Sequence, residues 1–192
     1  MIEFESEYWN KLELVVGVDE AGRGPMAGPL VVCGVVLPMH YHHPIINDSK
    51  KLSAKKRELC FVDILNDAHQ IIVEIISPKE IDRLNIYRAT QLAMERIINQ
   101  ANVPGLVDAM YVDTLTPTQS IIKGDQKSVS IAAASIIAKV MRDKIMDGLD
   151  TQYPEYGFKQ HKGYPTKAHK QAIVDYGRSI VHRKSFMFKD ES

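Results

Sequence analysis

The sequence has only two cysteines, Cys33 and Cys60, and neither has a partner at the spacing of a metal site. A disulfide framework and a thiolate metal centre are therefore excluded, and we expect two buried, reduced thiols. No apolar run approaches the length of a membrane span, and residues 1–9 lack the basic start and apolar stretch of a signal peptide. The sequence predicts a cytoplasmic protein without a membrane contact.

The chain also lacks an excess of charge of either sign, which argues against a bulk nucleic-acid binder. The balance is nevertheless uneven along the sequence. Residues 1–120 carry 11 basic and 16 acidic side chains, whereas residues 121–192 carry 13 basic and 8 acidic ones. This asymmetry indicates either a basic surface that faces a polyanion or a solvated basic face, and charge alone does not decide between them.

The 192 residues suffice for one domain with a substantial core, and 45% of them are apolar. Hydrophobic patterns predict strands at 14–19, 30–37, 71–77, 106–113 and 120–122, the first two as an antiparallel pair. They predict helices from the Ser53 cap to about 67, over about 79–100, over 129–149, and from the Thr166 cap to Gly177. This order predicts a mixed α/β sheet with helices on its faces.

Two carboxylates, Asp19 and Glu20, follow the first apolar run and directly precede a Gly/Arg-rich stretch. A strand end aims oxygen ligands at one point, and Mg²⁺ and Mn²⁺ prefer oxygen ligands. Because successive strand side chains point to opposite faces, both carboxylates reach one site only if the chain turns there. Gly22 and Gly24 allow that turn. We interpret the segment as a metal site; the alternative is a solvated strand-to-loop corner.

Further acids are candidates for the same site. Asp113 ends the predicted fourth strand, where open α/β sheets place ligands, and Asp143 lies in the helix that begins with the alanine run. Lys139 lies one turn before Asp143, so a surface charge row is the alternative for that acid. Asp108 is an odd number of residues from Asp113, so strand alternation directs it to the opposite face, and we interpret it as solvated.

Carboxylates that converge without histidine or thiol suit two hard cations, and such cations suit phosphoryl chemistry. Like charges at this spacing repel by several kcal/mol at an effective ε of about 20, so such a site makes sense chiefly when it holds metal. Nothing in the sequence indicates a serine or cysteine nucleophile.

Five distinctive segments are spread over nearly the whole chain. They are Gly-Val-Asp-Glu-Ala-Gly-Arg-Gly-Pro at 17–25, Asn-Asp-Ser-Lys-Lys-Leu-Ser at 47–53, Lys-Gly-Asp at 123–125, Ser-Ile-Ala-Ala-Ala-Ser-Ile-Ile-Ala-Lys-Val-Met-Arg-Asp at 130–143 and His-Lys-Gly-Tyr at 161–164. Together these segments resemble ribonuclease HII, the bacterial type 2 ribonuclease H.

The resemblance implies an α/β, ribonuclease H-like fold: a mixed five-stranded sheet flanked by helices. It implies one catalytic domain over 1–192, with a core of about 1–150 and a small C-terminal helical extension of about 151–192. The implied activity is endonucleolytic cleavage of the RNA strand of RNA–DNA hybrids and of ribonucleotides embedded in duplex DNA. The products carry 3′-hydroxyl and 5′-phosphate ends, and the cofactor is Mn²⁺ or Mg²⁺. We expect a monomer.

The resemblance also assigns residues. It implies that the catalytic and metal-binding acids are Asp19, Glu20, Asp113 and Asp143. It implies that Gly22, Arg23 and Gly24 contact the substrate backbone and that Tyr164 stacks on a sugar and senses the 2′-hydroxyl. Because this hydroxyl distinguishes RNA from DNA, bare backbone groups and an aromatic face can read it without reading base sequence.

Four lysines are candidate phosphate contacts, and a solvated surface role is the alternative for each of them. They are Lys50, Lys51, Lys123 and Lys139. At two positions the sequence departs from the family pattern, which usually has glycine after the third acid and after the tyrosine. Here Thr114 follows Asp113, and Pro165 follows Tyr164.

Two other functions remain open. A second two-metal nuclease of this fold, such as a resolvase or an integrase, would cut all-DNA substrates. A catalytically silent hybrid-binding module would bind hybrid without cleaving it.

Overall fold

The computed structural model of the protein describes residues 1–46 and 52–188. The predicted phosphate contacts Lys50 and Lys51 lie outside the described residues. The core is a five-stranded sheet in the order β3-β2-β1-β4-β5. The strands are β1 Val16–Ala21, β2 Leu30–Val36, β3 Gln70–Ile76, β4 Gly105–Asp108 and β5 Thr118–Ile121. The predicted mixed five-stranded sheet is confirmed.

Strand direction changes at the centre of the sheet. β1 pairs antiparallel with β2, and β2 pairs antiparallel with β3. On its other side β1 pairs parallel with β4, which in turn pairs parallel with β5. β2 is buried along its whole length, as its continuous run of apolar residues predicts. The central strand β1 therefore ends beside the parallel strand β4.

Helices cover both faces of the sheet. They are α1 Glu3–Trp9, α2 Ala54–Asp67, α3 Pro78–Leu84, α4 Ile86–Ala101, α5 Val129–Gln152, α6 Phe158–His161 and α7 Lys167–Tyr176. Ser53 and Thr166 cap α2 and α7 through their side chains, as predicted. None of the helices in the described ranges is long and apolar enough to cross a membrane.

Two predicted elements were wrong in extent. The helix predicted over 79–100 is two helices, because Asn85 adopts φ 63° and ψ 161° and interrupts the chain between α3 and α4. The side chain of Asn85 then accepts a hydrogen bond from the N–H of Arg88 and caps α4. The fourth strand ends at Asp108 and not at 113, and Ala109 follows it at φ 44°.

Helix α5 packs directly on the central strand. A Cβ atom at Gly17 of β1 would lie 2.1 Å from the carbonyl carbon of Ser130 and 2.3 Å from the nitrogen of Ile131. The helix surface there consists of small residues, Ala132 to Ala134, all fully buried. This close approach requires glycine on the strand and small side chains on the helix. It brings the later turns of α5 over the end of β1.

The C-terminal segment returns to the connection between β1 and β2. Ala27 and His182 form an antiparallel bridge, in which the N–H of Gly28 donates to the carbonyl of Val181 and the N–H of Arg183 donates to that of Met26. Farther along, the carboxylate of Asp82 in α3 accepts the N–H groups of Lys184 and Ser185. The segment is thus attached to the core on both sides of Arg183.

Replacing Gly17 by alanine should lower the free energy of unfolding by about 1–3 kcal/mol or more, because the new methyl group meets backbone atoms of α5 that cannot rotate away. The matched control is Gly148→Ala in α5, where a Cβ atom would meet nothing within 4 Å. That variant should gain about 0.5–1 kcal/mol. Urea unfolding of both variants measures the difference, and equal stabilities would contradict the close β1–α5 packing.

Candidate active site

The site begins with the register of the two central parallel strands. Val18 of β1 pairs with Val107 of β4, so the next residues along the strands are Asp19 and Asp108. Carboxyl ends of parallel strands meet at one sheet edge, and equivalent positions of paired strands share a face. Asp19 and Asp108 are therefore neighbours on the same face of the sheet.

A cleft of about 400 Å³ opens at this edge. Its walls come from β1 and the turn that follows it, from the end of β4, from α2 and α5, and from the loop after α6. The lining residues are Asp19, Glu20, Ala21, Gly22, Arg23, Gly24, Arg57, Asp108, Ser135, Lys139, Arg142 and Tyr164.

The carboxylates in this cleft repel one another. Asp19 is 5% exposed, and burial, followed by the charges of Glu20 and Asp108, raises its pKa well above the ordinary value of 3.8. The N–H of Glu20 and the Ser135 side chain oppose the rise by hydrogen bonding to Asp19. Burial also raises the pKa of Glu20, although Arg23, 3.5 Å away, lowers it. The repulsion among these carboxylates favours a bound cation at this corner.

One face of α5 continues the site. Ser135, Lys139 and Asp143 are four residues apart, so they lie above one another on the helix. The ammonium group of Lys139 lies 2.7 Å from Asp143 and pairs with it. Ser135 and Lys139 line the cleft, and Asp143 lies one turn farther along the same face, with its side chain 25% exposed. The predicted i,i+4 pair is present, but only Lys139 of the pair lines the cleft, and Asp143 is absent from the lining.

The third acid of the sequence-based assignment is corrected. Asp113 lies five residues beyond the end of β4, is exposed, and is absent from the cleft lining. Its N–H donates to the Glu95 side chain of α4, which holds this loop against the helix. Asp108, interpreted as solvated, occupies the strand end instead. The alternation argument was wrong because it assumed that the strand ran on to residue 113.

The backbone conformation of Ala109 supports Asp108 as the third acid. Its φ of 44° lies in the left-handed region, which glycine adopts without steric cost. The family pattern of an acid followed by glycine therefore fits Asp108-Ala109 in backbone conformation better than Asp113-Thr114.

The Gly22–Gly24 turn and Tyr164, both predicted to contact substrate, lie next to each other in the cleft. Gly22 has φ 100°, which favours glycine, and Arg23 and Gly24 are exposed in the cleft. A Cβ atom on Gly24 would lie 3.5 Å from Cε1 of Tyr164, so the ring borders the turn. Tyr164 is 44% exposed, which leaves much of the ring available to a ligand.

The loop that carries Tyr164 is fixed by its backbone. The carbonyl of Gly163 accepts the N–H of Met26, and the N–H of Gly163 donates to Nδ1 of His161. The carbonyl of Lys162 accepts a hydrogen bond from Arg142. These contacts hold the tyrosine against the turn after β1.

Two buried arginines, Arg142 and Arg183, pack next to the cleft. Neither was predicted as a site residue. Arg142 is 1% exposed and donates to the carbonyls of Ala27, Pro29 and Lys162. Arg183 is fully buried and donates to the carbonyls of Gly22, Arg23 and Gly28.

Burial lowers the pKa of both guanidinium groups; that of Arg183 falls to about 9, with Arg142 as the second cause. Both side chains remain cationic at neutral pH. A positional signal existed for Arg142, which lies two turns after Ser135 on the same side of α5. No comparable spacing marked Arg183.

The remaining lysines differ in position. Lys139 lines the cleft, whereas Lys123 is exposed at φ 58° before the short 3₁₀ turn Gly124–Gln126 and is absent from the lining. Arg57 of α2 lines the cleft and was not predicted; its guanidinium group donates to the carbonyl of Leu52.

The donor set fits a hard divalent cation. It contains carboxylate oxygens and lacks imidazole and thiolate groups. Within residues 1–46 and 52–188, no three acidic, histidine or cysteine side chains are grouped closely enough to hold a metal ion, so a bound cation needs further oxygen ligands from water or substrate. An open site of this kind suits Mg²⁺ and Mn²⁺, which keep several positions for water and substrate phosphate.

Comparison with known proteins identifies the family of this chain. Residues 16–189 match the family model described as Ribonuclease HII. Ribonuclease HII of Bacillus cytotoxicus is 50% identical over 189 residues, which cover 94% of this chain and 73% of the relative.

Solved structures give the same result. The Archaeoglobus fulgidus enzyme in the PCNA:RNase HII complex superposes with a TM-score of 0.78 at 26% identity, over 93% of this chain and 98% of that one. Ribonuclease H2 from Pyrococcus horikoshii OT3 gives a TM-score of 0.72 at 29% identity, over 90% and 93% of the two chains. The sequence match spans the strand that carries Asp19 and the segment that carries Arg183, and the chain therefore belongs to the ribonuclease HII family of RNA-cleaving hydrolases.

Proposed function

We propose that the protein is an endonuclease that hydrolyses the RNA strand of RNA–DNA hybrids and cuts at ribonucleotides embedded in duplex DNA. Cleavage leaves 3′-hydroxyl and 5′-phosphate ends. One observation carries the proposal: the paired acids Asp19 and Asp108 share a cleft with the Gly22–Gly24 turn and Tyr164. A group that can hold cations thus lies beside groups that can recognise a ribose.

Asp19, Glu20 and Asp108 would hold Mg²⁺ or Mn²⁺. Asp143, the fourth predicted acid, lies on α5 outside the cleft lining, so its part in metal binding stays a prediction. When bound, such ions activate a water molecule and stabilise the departing oxygen of a phosphodiester. The protein supplies orientation: β1 and β4 fix two carboxylates, and the Ser135 hydrogen bond holds Asp19. Lys139 pairs with Asp143.

Recognition is assigned to the opposite wall of the cleft. The peptide N–H groups of the turn and the face of Tyr164 are suited to a sugar and its phosphate, and neither reads a base. Lys139 and Arg57 supply positive charge for backbone phosphates, which position a duplex without specifying its sequence. The 2′-hydroxyl is then the feature that distinguishes substrate from DNA.

The two cysteines are free and buried, which suits the reducing cytoplasm.

A pair of matched duplexes tests the proposal directly. One is all DNA, and the other carries a single ribonucleotide at the same position. With Mg²⁺ or Mn²⁺ the protein should cut only the second, leave a 3′-hydroxyl end, and lose activity in EDTA. Cleavage of both duplexes would indicate a general nuclease such as a resolvase. Binding of the ribonucleotide duplex without cleavage in either metal would indicate a silent binding module.

The corrected third acid has its own test. Asp108→Asn should reduce kcat by a factor of about 100 or more, because it removes an oxygen anion from the cluster while keeping the shape of the side chain. Asp113→Asn is the matched control and should retain nearly full activity, since Asp113 lies outside the cleft. Steady-state cleavage of the ribonucleotide duplex measures both variants. The reverse ranking would restore Asp113 as the third acid.

A further inference from the structure

Arg183, like Arg142, is buried and donates through three nitrogen atoms to backbone carbonyls, but the carbonyls of the Gly22–Gly24 turn are bound by Arg183. Nε donates to Gly28 at 3.1 Å, and the terminal nitrogens donate to Arg23 at 3.0 Å and Gly22 at 2.6 Å. Among the described residues it forms no ion pair with a carboxylate. Burying a guanidinium charge costs free energy, so a side chain held this way needs a compensating role.

Two of the three carbonyls that Arg183 binds, those of Gly22 and Arg23, belong to consecutive peptides of the turn. In a trans peptide the C=O and the N–H lie in one plane and point in opposite directions, and the described chain has no cis peptide. Drawing the carbonyl of Gly22 towards the interior therefore turns the N–H of Arg23 outward. Drawing in the carbonyl of Arg23 does the same for the N–H of Gly24.

The two outward N–H groups remain available. Arg23 and Gly24 are exposed and line the cleft, and within the described ranges neither N–H donates to a protein acceptor. Successive N–H groups that point to one side form a concave site for an anionic oxygen. The positive charge of Arg183 behind the turn favours the same anion.

Arg183 is also held by contacts outside the turn. Its own N–H donates to the carbonyl of Met26, and its guanidinium carbon lies 5.0 Å from the centre of the Phe186 ring. Arg142 also packs against the turn, since a Cβ atom on Gly22 would lie 2.1 Å from its Nε. Both buried arginines therefore contact the turn, and Arg183 alone of the two donates to its carbonyls.

We propose that Arg183 is a positioning residue that fixes the turn so that the N–H groups of Arg23 and Gly24 together bind one phosphate oxygen of the nucleic-acid backbone. The inference rests on the proposed function, because it takes the ligand of the cleft to be a ribonucleotide-containing duplex. It adds a role for the C-terminal segment, which lies 160 residues from the turn that it orders.

The test combines a protein variant with a modified substrate. A set of duplexes carries one ribonucleotide and, at each nearby phosphate in turn, a neutral methylphosphonate. In the wild-type protein, replacing the phosphate that binds the turn should lower kcat/KM by about 10-fold or more. Arg183→Met should lower kcat/KM on the unmodified duplex by about 100-fold, because it misplaces the turn. In this variant the penalty at that one phosphate should fall to less than about 2-fold, while penalties at the other phosphates persist.

Arg183→Lys should resemble Arg183→Met, because one ammonium group cannot span three carbonyls in a fixed plane. If either Arg183 variant keeps the wild-type penalty at every phosphate, the inference is overturned. If the wild-type protein cuts none of the ribonucleotide duplexes, the proposed function fails first, so the two failures are distinguishable.

Asp82→Ala is the matched control. It releases the same C-terminal segment at Lys184 and Ser185 without touching the turn. It should lower the melting temperature yet keep the full methylphosphonate penalty. Loss of that penalty in Asp82→Ala would show that general loosening, and not Arg183, accounts for the effect.

A measurement on the wild-type protein covers the case in which the Arg183 variants do not fold. In ¹⁵N-labelled, metal-free protein, the amide signals of Arg23 and Gly24 should shift when the unmodified duplex is added. They should shift much less with the duplex that carries the methylphosphonate at the identified position. Unchanged signals with the unmodified duplex would contradict the proposal.

Discussion

The parallel pairing of β1 with β4 is the constraint on which the candidate site depends. It places Asp19 beside Asp108 in a corner where burial and mutual repulsion raise the pKa of Asp19. Two like charges about 4 Å apart repel by about 4 kcal/mol at an effective ε of 20. The sheet tolerates this cost because β1 is held on two sides. It pairs with β2 along its length, and α5 packs closely on its backbone at Gly17. A divalent cation relieves the repulsion, so the same packing that strains the metal-free protein prepares it to bind metal.

Charge is separated within the cleft. Asp19, Glu20 and Asp108 line the cleft at the sheet edge. At the turn, Arg183 binds the carbonyls of Gly22 and Arg23 and leaves the following N–H groups facing outward. Cations can therefore bind on one wall and the substrate backbone on the other. The C-terminal segment, though distant in sequence, completes the second wall.

Much of this arrangement was predictable, because the signals were local. The apolar run before Asp19, the glycines after Glu20 and the small residues of α5 each specify their own conformation. The end of β4 was not predictable in this way, since Asp113 also follows an apolar stretch and only the left-handed conformation of Ala109 separates the two acids. Arg183 was missed for a different reason: arginine is usually exposed, and its carbonyl partners lie more than 150 residues away.

The central claim is that Asp19 is held against its neighbours at a cost that metal binding removes. The most direct measurement is a ¹³C NMR titration of the Asp19 carboxyl carbon in metal-free protein, repeated with saturating Mg²⁺ and in Asp108→Asn. The account predicts a metal-free pKa well above 3.8, a lower value with Mg²⁺, and a lower value when the Asp108 charge is removed. An ordinary pKa in the metal-free protein, unaffected by Mg²⁺ and by the substitution, would contradict it.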